Sequence, residues 1–478
     1  MALKPFNLLT STAHDIQQLF DRSELSAESL VKQVLDQVKK HNRDGLNLGA
    51  LISVAPRQQL LERAQFLDQE RAAGKARSPL HGIPFIVKDA IATDPQLGME
   101  TTAGSWALVG SLPPGNAPTV QKEFNNFKGQ DLIDGWSPVN GYTRSAYVRG
   151  PLKLDEGAMG HSVSLFIFPW ARSAVGVSAG FGIVSLGVET DGSIVSPASR
   201  AALYAMKPTI GTVSMDGVIP VSKSLDSVGA MARSPADLAM VIEMLQATGT
   251  NRDERLSQLM TQKWDGLRIG FVDEKIWKLP ESLCKNDNEA LFQMRKEYHS
   301  VMKVLSDAGA HVEYPVQLPP GDKVWPGIGD VIFRNLQELV DWNRQNADRE
   351  LPKEYPSQSS LESALQCNIS AAENAETLAF LRRLAGPDGI DQILNLFSLD
   401  AIASLADSPL SSVASAAGYP IATMPLGILD MNGRPFGISM TASKHQENKL
   451  FQIMSAWETL GARQPPPALM EETNQAQP

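Results

Sequence analysis

Apolar residues recur at helical spacing near the start of the chain. Ile16, Leu19 and Phe20 follow Thr12, and a second apolar face follows Ser26. Residues three and four apart lie on one face of a helix, and Ser or Thr at the N-cap accepts a hydrogen bond from a free backbone N–H group. This pattern predicts two capped, amphipathic helices within residues 12–40.

From residue 79 to residue 232 the pattern changes to short apolar runs separated by Gly, Ser and Thr. Such runs are typical of buried strands joined by functional loops. Further along, the sequence predicts a helix with Pro in its first turn over 234–247, a strand over 267–272 and a helix over 285–310. Strand and helix patterns return over 385–460 and end in a helix near 446–460. The fold class is therefore predicted to be α/β.

No linker or internal repeat divides the chain, so we predict one domain over residues 1–464, with its core in 79–245 and 385–460. Residues 315–360 are rich in Pro and charge and are typical of a variable surface excursion. The tail, 465–478, is polar and is predicted to be disordered.

Composition narrows the function classes. The 478 residues are 43% hydrophobic and 20% charged, as in an ordinary globular protein. The net charge of −10 is spread along the chain, which argues against a nucleic-acid partner or an anionic membrane surface. Two cysteines exclude a disulfide framework, and the seven histidines lack metal-ligand spacing, so no metal or other cofactor is predicted. With no signal-peptide core and no apolar run long enough to span a bilayer, we expect a cytoplasmic protein without a membrane segment.

Two short motifs match known nucleophile patterns, and both are interpreted as structural. Residues 176–180 read GVSAG, but a G-x-S-x-G elbow needs a strand before its serine. The surrounding run of small residues, 173–182, predicts a close-packed helix or turn instead. Residues 29–32 read SLVK and match S-x-x-K, yet they lie on an amphipathic helix whose solvated face explains them.

A more specific segment is 79–89, which reads PLHGIPFIVKD. Lys88 ends an apolar strand, and a lysine that loses hydration has a lowered pKa and can act as a base near neutral pH. A lysine that reaches solvent or pairs with Asp89 is the structural alternative.

The second segment is 187–199, which reads GVETDGSIVSPAS. A strand that ends in a Gly-containing turn presents consecutive backbone N–H groups. Ser193 in that turn can attack a carbonyl carbon while these donors hold the oxyanion. The alternative is a plain strand-to-helix turn that Ser193 caps. The two segments together are far more specific than either alone.

The two segments resemble the amidase-signature family, closest to fungal amidases, and the resemblance runs from about residue 10 to residue 460. Other matching motifs are 101–105 (TTAGS), 206–211 (MKPTIG), 224–229 (SLDSVG), 407–410 (DSPL) and 417–420 (AGYP). The resemblance implies one large mixed β-sheet covered by helices on both sides. It also implies hydrolysis of carboxylic amides by a Ser–cis-Ser–Lys triad, without histidine or metal, and a small-molecule amide as substrate. The implied roles are Ser193 as nucleophile, Lys88 as base and the backbone N–H groups of Thr190, Asp191, Gly192 and Ser193 as oxyanion hole.

The chain departs from the family's pattern at the bridging serine. Counting back from Ser193 places Pro169 at that position, inside the bulky apolar stretch 163–172 (VSLFIFPWAR). Neither Pro169 nor Trp170 carries the hydroxyl that a proton relay needs. The nearby serines that offer a hydroxyl are Ser162, Ser164 and Ser173.

A second departure follows residue 122, where the family continues with a helix and a strand. This chain continues directly at residue 123 with EFNNF. A crossover between parallel strands needs about a dozen residues or more, so we expect the sheet to lack a strand and to expose apolar surface.

The departures leave several interpretations open. The chain is either an amidase, a catalytically impaired relative that serves as a binding or scaffold protein, or an amide-forming acyltransferase. A further hypothesis is a gene model with misplaced splice junctions, because Val-Ser at 163–164 is what an intron beginning GTAAGT would encode. The substrate and the oligomeric state are not predicted.

Overall fold

A computed structural model describes residues 5–110, 112–113, 115–117, 136–148, 172–246, 255–279, 287–318, 337–351, 353, 356–367, 369–461 and 463–475. The junction at 122–123 and residues 163–171, with Pro169 and Trp170, lie outside the described residues, as do Ser162 and Ser164. The predictions that concern them stay predictions. Ser173 is described and lies buried in a helix.

The strands are β1 (Phe85–Val87), β2 (Trp136–Ser137), β3 (Gly141–Tyr142), β4 (Val184–Glu189), β5 (Tyr204–Lys207), β6 (Ser227–Ala232), β7 (Arg268–Val272), β8 (His311–Val316), β9 (Ala401–Leu405), β10 (Ile421–Ile428) and β11 (Pro435–Thr441). All except β2 and β3 form one nine-stranded sheet in the order β1-β4-β6-β5-β10-β11-β9-β7-β8. The β1/β4, β7/β8 and β7/β9 pairs are parallel and the others are antiparallel. The predicted large mixed sheet is confirmed.

The helices are α1 (Ala13–Asp21), α2 (Ala27–His41), α3 (Arg57–Ala72), α4 (Arg172–Ser178), α5 (Val195–Ser199), α6 (Pro235–Gln246), α7 (Asn288–Asp307), α8 (Gln337–Gln345), α9 (Ala347–Glu350), α10 (Ser359–Gln366), α11 (Ala371–Ala385), α12 (Gln392–Phe397), α13 (Leu410–Ala417), α14 (Glu447–Trp457) and α15 (Pro467–Gln475). The sequence-predicted helices at 234–247, 285–310 and 446–460 correspond to α6, α7 and α14, and the predicted strand at 267–272 corresponds to β7.

Both faces of the sheet are covered. Along β9, Ala401, Ala403 and Leu405 pack into the larger apolar cluster, whereas Ile402 packs into a second cluster. Side chains alternate between the two faces of a strand, so the two clusters lie on opposite sides. Helices α1, α2, α6 and α14 contribute to the first cluster, and α11 and α13 contribute to the second. This arrangement confirms the predicted helical cover on both sides.

The two N-terminal helices are capped as the sequence predicts. The Thr12 hydroxyl accepts from the N–H of Asp15 at 3.0 Å, and the Ser26 hydroxyl accepts from the N–H of Ser29 at 3.1 Å. Ile16 is fully buried within the first apolar face. Capping at these positions contributes about 1 kcal/mol each and fixes where the helices begin.

The two nucleophile-like motifs are structural, as predicted. Gly176, Val177 and Ser178 lie in helix α4, so no strand precedes the serine, and the Ser178 hydroxyl donates to the carbonyl of Val175 at 3.0 Å. Residues 29–32 lie in α2, where Lys32 pairs with Glu28 one turn away at 2.6 Å.

The prediction of a disordered tail over 465–478 is wrong for residues 467–475, which form α15. Leu469 is buried in the larger apolar cluster, with Met470 packed against it. Glu472 pairs with Lys40 and, at 3.3 Å, with His41 of α2. Composition alone misses this helix because its apolar and charged contacts are made with residues far away in the chain.

Strand β1 is the terminal strand of the sheet, and in the described part of the chain it pairs with β4 alone. The exposed fraction of Phe85 is 55%, which is unusual for a large apolar strand residue. The helix and strand expected to be missing after residue 122 would fall in a stretch that is not described, so their absence stays a prediction.

Candidate active site

Lys88 follows β1 directly and is held against β4. Its backbone N–H donates to the carbonyl of Leu186 at 3.2 Å, which extends the parallel β1/β4 ladder by one bond. The side chain is 7% exposed, and Nζ donates to the carbonyl of Val188 at 2.8 Å. The amine therefore lies at the end of β4 and does not reach out to solvent.

Asp89, the next residue, is directed at the 101–105 motif. Its carboxylate accepts from the Thr102 hydroxyl at 2.6 Å, the Thr102 N–H at 3.1 Å and the Gly104 N–H at 3.0 Å. Burial raises the pKa of Asp89, and these hydrogen bonds oppose the rise. The motif at 101–105 thus binds the segment that carries Lys88.

The turn after β4 carries Ser193. Ser193 is 5% exposed, and its neighbour Gly192 has a left-handed backbone with φ +79°. The carbonyl of Gly192 then accepts from the N–H of Ser196 at 2.9 Å, which begins helix α5. The N–H of Gly192 is hydrogen-bonded to the Glu189 carboxylate, whereas the N–H groups of Asp191 and Ser193 donate to no backbone carbonyl of the described residues. These two donors are therefore available to a bound oxyanion.

Glu189 binds the backbone that directly follows Ser193. One carboxylate oxygen accepts from the N–H of Ile194 at 2.7 Å and from the N–H of Val195 at 3.0 Å. Burial raises the pKa of Glu189, and the charge of Lys207 opposes this. Lys207 ends β5, fully buried, and donates to the carbonyl of Tyr419 at 2.8 Å; burial lowers its pKa to about 8. The motifs at 206–211 and 417–420 therefore hold a buried lysine within electrostatic reach of Glu189.

Asp226, in the motif at 224–229, binds Thr190 at the beginning of the turn. The Thr190 hydroxyl donates to its carboxylate, and the N–H of Ser222 donates to it at 3.0 Å. Burial raises the pKa of Asp226 to about 6, with the positive charge of Lys88 acting in the opposite direction. Asp226 thus lies within electrostatic reach of Lys88 while it fixes Thr190.

The side chain of Asp191 contacts α13. The Ser412 hydroxyl lies 3.1 Å and 2.9 Å from its two carboxylate oxygens. Burial raises the pKa of Asp191 to about 6, and the hydroxyls of Ser412 and Ser411 oppose the rise. The motif at 407–410 leads directly into this helix.

The structure places Lys88 and the turn at 190–193 at one edge of the sheet, namely the edge formed by the C-terminal ends of β1, β4 and β5. Strand β4 ends at Glu189, opposite the first residue of β6, and β5 ends at Lys207, opposite the first residue of β10. Lys88, Thr190, Asp226 and Lys207 therefore share this edge. Sequence reasoning assigned no role to Glu189, Lys207 or Asp226. An ionisable residue at the end of an otherwise apolar strand was the available signal.

A cavity of about 360 Å³ opens at the opposite edge and contains neither Lys88 nor Ser193. Its lining includes Tyr204, Glu297, Pro425, Trp457 and Arg463. Among the described residues, no group of three or more His, Cys, Asp and Glu side chains is arranged to hold a metal ion. In the same part of the chain, no helix is both long and apolar enough to cross a bilayer.

Comparison with known proteins identifies the family. The amidase family model matches residues 29–125 and 173–364, and the gap between the two ranges contains the stretch 163–172. A probable amidase of Arabidopsis thaliana is 28% identical, covering 97% of this chain and 92% of its own length. A glutamyl-tRNA(Gln) amidotransferase subunit from Desulforamulus reducens is 30% identical, covering 67% of this chain and 63% of its own length.

Solved structures agree with the sequence comparison. The X-ray structure of peptide amidase from Stenotrophomonas maltophilia has a TM-score of 0.82 and 31% identity, covering 97% of this chain and 99% of that chain. The fold and these matches define a protein of the α/β class that belongs among the hydrolases of amide C–N bonds. The chain belongs to the amidase family, also known as the amidase-signature family.

Proposed function

We propose that this chain hydrolyses a small carboxylic amide through an acyl-enzyme on Ser193, with Lys88 as the final proton acceptor. The observation that carries the proposal is the 2.8 Å hydrogen bond from Lys88 Nζ to the carbonyl of Val188, five residues before Ser193. It supports a buried amine beside the turn that holds the serine. The support of that turn by Glu189 and Asp226 is consistent with a preorganised oxyanion site.

In the proposed mechanism the Ser193 oxygen attacks the amide carbonyl carbon, and the hydroxyl proton passes to Lys88. Because Pro169 has no hydroxyl, the candidates for a relay are Ser162, Ser164 and Ser173. The N–H groups of the turn stabilise the negative charge that develops on the carbonyl oxygen. The C–N bond breaks as the leaving nitrogen takes up the proton. Water then attacks the ester carbon, which releases the carboxylic acid and regenerates the Ser193 hydroxyl.

Fluorophosphonate labelling tests the nucleophile. We expect wild type to be labelled at Ser193 and Ser193→Ala to remain unlabelled. Ser178→Ala is the matched control, because it removes the serine of the competing G-x-S-x-G match and should leave labelling unchanged. Equal labelling of wild type and Ser193→Ala, or no labelling of wild type, would exclude Ser193 as an active nucleophile.

A second candidate function is binding without turnover, and the specific observation in its favour is the absence of a hydroxyl at Pro169 and Trp170. Replacing 163–172 by a Gly/Ser loop with serine at the position of Pro169 discriminates the two. An impaired amidase should gain about 10²-fold or more in amide turnover, the range of a restored acid–base step. A chain that binds a ligand tightly and shows no turnover at any pH, with or without the new loop, favours the binding protein.

The mis-splicing hypothesis has a separate test. A transcript that encodes residues 118–172 as written would exclude it, whereas a transcript with a Gly/Ser-rich loop in place of 163–172 would support it.

An amide-forming acyltransferase would release a new amide when an amine acceptor competes with water, and product analysis detects this.

The proposed substrate class is small amides, and peptide amides are the first to test because of the likeness to a peptide amidase.

We also propose a cytoplasmic location, which fits a chain with only two cysteines. Fractionation of cells that express the tagged chain checks this proposal.

A further inference from the structure

The side chain of Asp191 leaves the nucleophile turn and meets helix α13. Both carboxylate oxygens lie within hydrogen-bond distance of the Ser412 hydroxyl, at 3.1 Å and 2.9 Å. The contact joins residues that are 221 positions apart in the chain, and the neighbouring Ser411 hydroxyl also lowers the pKa of the same carboxylate by hydrogen bonding. A contact of this kind fixes the orientation of the peptide units on either side of Asp191.

Close packing of the same helix on the next residue is an independent observation. A Cβ atom added to Gly192 would lie 3.2 Å from the Ser411 oxygen. Helix α13 therefore lies against the turn over two successive residues. The start of α13 is itself anchored, because Asp407 accepts from Arg200 at 3.0 Å and from Arg434 at 3.1 Å.

We infer that Ser412 is a positioning residue for the reaction: through the Asp191 carboxylate it fixes the direction of the N–H groups of the turn that receive the oxyanion. The inference rests on the proposed function of Ser193. The Ser412–Asp191 contact acts on the transition state and not on ground-state binding, because the negative charge develops only as the carbonyl carbon is attacked.

The test compares two serine-to-alanine changes in one helix. Ser412→Ala removes the hydroxyl that lies within hydrogen-bond distance of both Asp191 carboxylate oxygens and leaves Ser411 in place. Ser415→Ala is the matched control: Ser415 is equally buried in α13, and its hydroxyl has no hydrogen-bond partner among the described residues. Ser412→Thr keeps a hydroxyl and serves as the conservative variant.

We expect Ser412→Ala to slow fluorophosphonate labelling of Ser193 and to lower kcat by about tenfold or more, with KM nearly unchanged. Deleting an oxyanion donor outright costs about 10²–10³-fold, and a loosened donor costs less. Ser415→Ala should match wild type, and Ser412→Thr should recover most of the rate. Equal labelling rates for wild type, Ser412→Ala and Ser415→Ala would overturn the inference.

Hydrogen exchange of the peptide that spans 190–193 separates this inference from the proposed function. Wild type that neither turns over amides nor labels would refute the proposed function alone. Faster exchange in Ser412→Ala than in Ser415→Ala would still support the positioning contact in that case, and equal exchange would refute it. In an active wild type, faster exchange with unchanged labelling would also overturn the inference, since the contact would then hold the turn without serving the oxyanion.

Discussion

Gly192 has a left-handed backbone conformation, with φ +79°, that residues with a side chain rarely adopt. Space excludes a side chain as well, because an added Cβ atom would lie 2.9 Å from the Ser196 oxygen. Both constraints come from the tight change of direction between β4 and α5. The sequence pattern predicts a glycine-containing turn here, and the structure supplies the reason.

Gly192→Ala should therefore abolish or strongly slow labelling of Ser193, since the turn must shift to accommodate the methyl group. Gly74→Ala is the matched control: its φ is +71°, and nothing lies within 4 Å of an added Cβ atom. Both variants should lose about 1–2 kcal/mol of unfolding free energy from left-handed strain. Labelling rates and urea unfolding measure the two effects. Loss of labelling in both variants would mean that general destabilisation is responsible.

At the scale of elements, the position of Lys88 depends on how β1 packs against α4. Ile86 of β1 fills the space above two glycines: an added Cβ atom would lie 2.4 Å from its Cδ1 at Gly176 and 2.8 Å from its Cγ1 at Gly182. The small residues of 173–182 therefore allow strand and helix to approach closely. Close packing is the physical reason for the glycine in the G-x-S-x-G match. It supports the prediction that these residues form a close-packed helix and not a nucleophile elbow.

Gly176→Ala should displace Ile86 and, with it, the strand that carries Lys88. Overpacking of this kind costs about 1–3 kcal/mol, and alanine is otherwise the better helix residue at that position. Ile86→Val removes the Cδ1 atom that is in the way, so the double variant Gly176→Ala/Ile86→Val should recover stability and Ser193 labelling relative to Gly176→Ala. Thermal unfolding and labelling rates form a double-mutant cycle. Purely additive effects would contradict the proposed clash.

At the scale of the whole molecule, the fold class, the mixed sheet and the edge shared by Lys88 and the 190–193 turn could be predicted from sequence. Local patterns and family motifs carry that information, because a capped helix or a buried strand is encoded in adjacent residues. The supporting contacts could not be predicted. Thr190–Asp226, Asp191–Ser412 and the pair of arginines on Asp407 each join residues far apart in the chain, and only the packed sheet brings them together. The order of 467–475 was missed for the same reason.

Arg200, Asp407 and Arg434 form the buried charge cluster that ties the segment after α5 to the C-terminal strands. Arg200 and Arg434 are almost fully buried, and Asp407 accepts hydrogen bonds from both guanidinium groups. Burial alone would raise the pKa of Asp407, but the two adjacent positive charges outweigh it and lower the pKa to about 2. Removing the carboxylate would leave two buried cations, so Asp407→Asn should cost about 3–5 kcal/mol at pH 7.

The cost of Asp407→Asn should depend on pH in a defined direction. A carboxyl group whose pKa is lower in the folded chain stabilises it above the unfolded pKa of about 4 and loses that effect as pH falls towards the folded pKa. Between pH 7 and pH 5 the difference in unfolding free energy between wild type and Asp407→Asn should therefore be constant. By pH 3 this difference should shrink by about 1 kcal/mol, because Asp407 is protonated in the unfolded wild type but still ionised in the folded state. Urea unfolding of both proteins at pH 7, 5 and 3 measures this, and a difference that stays constant down to pH 3 would show that the two arginines do not hold Asp407 ionised.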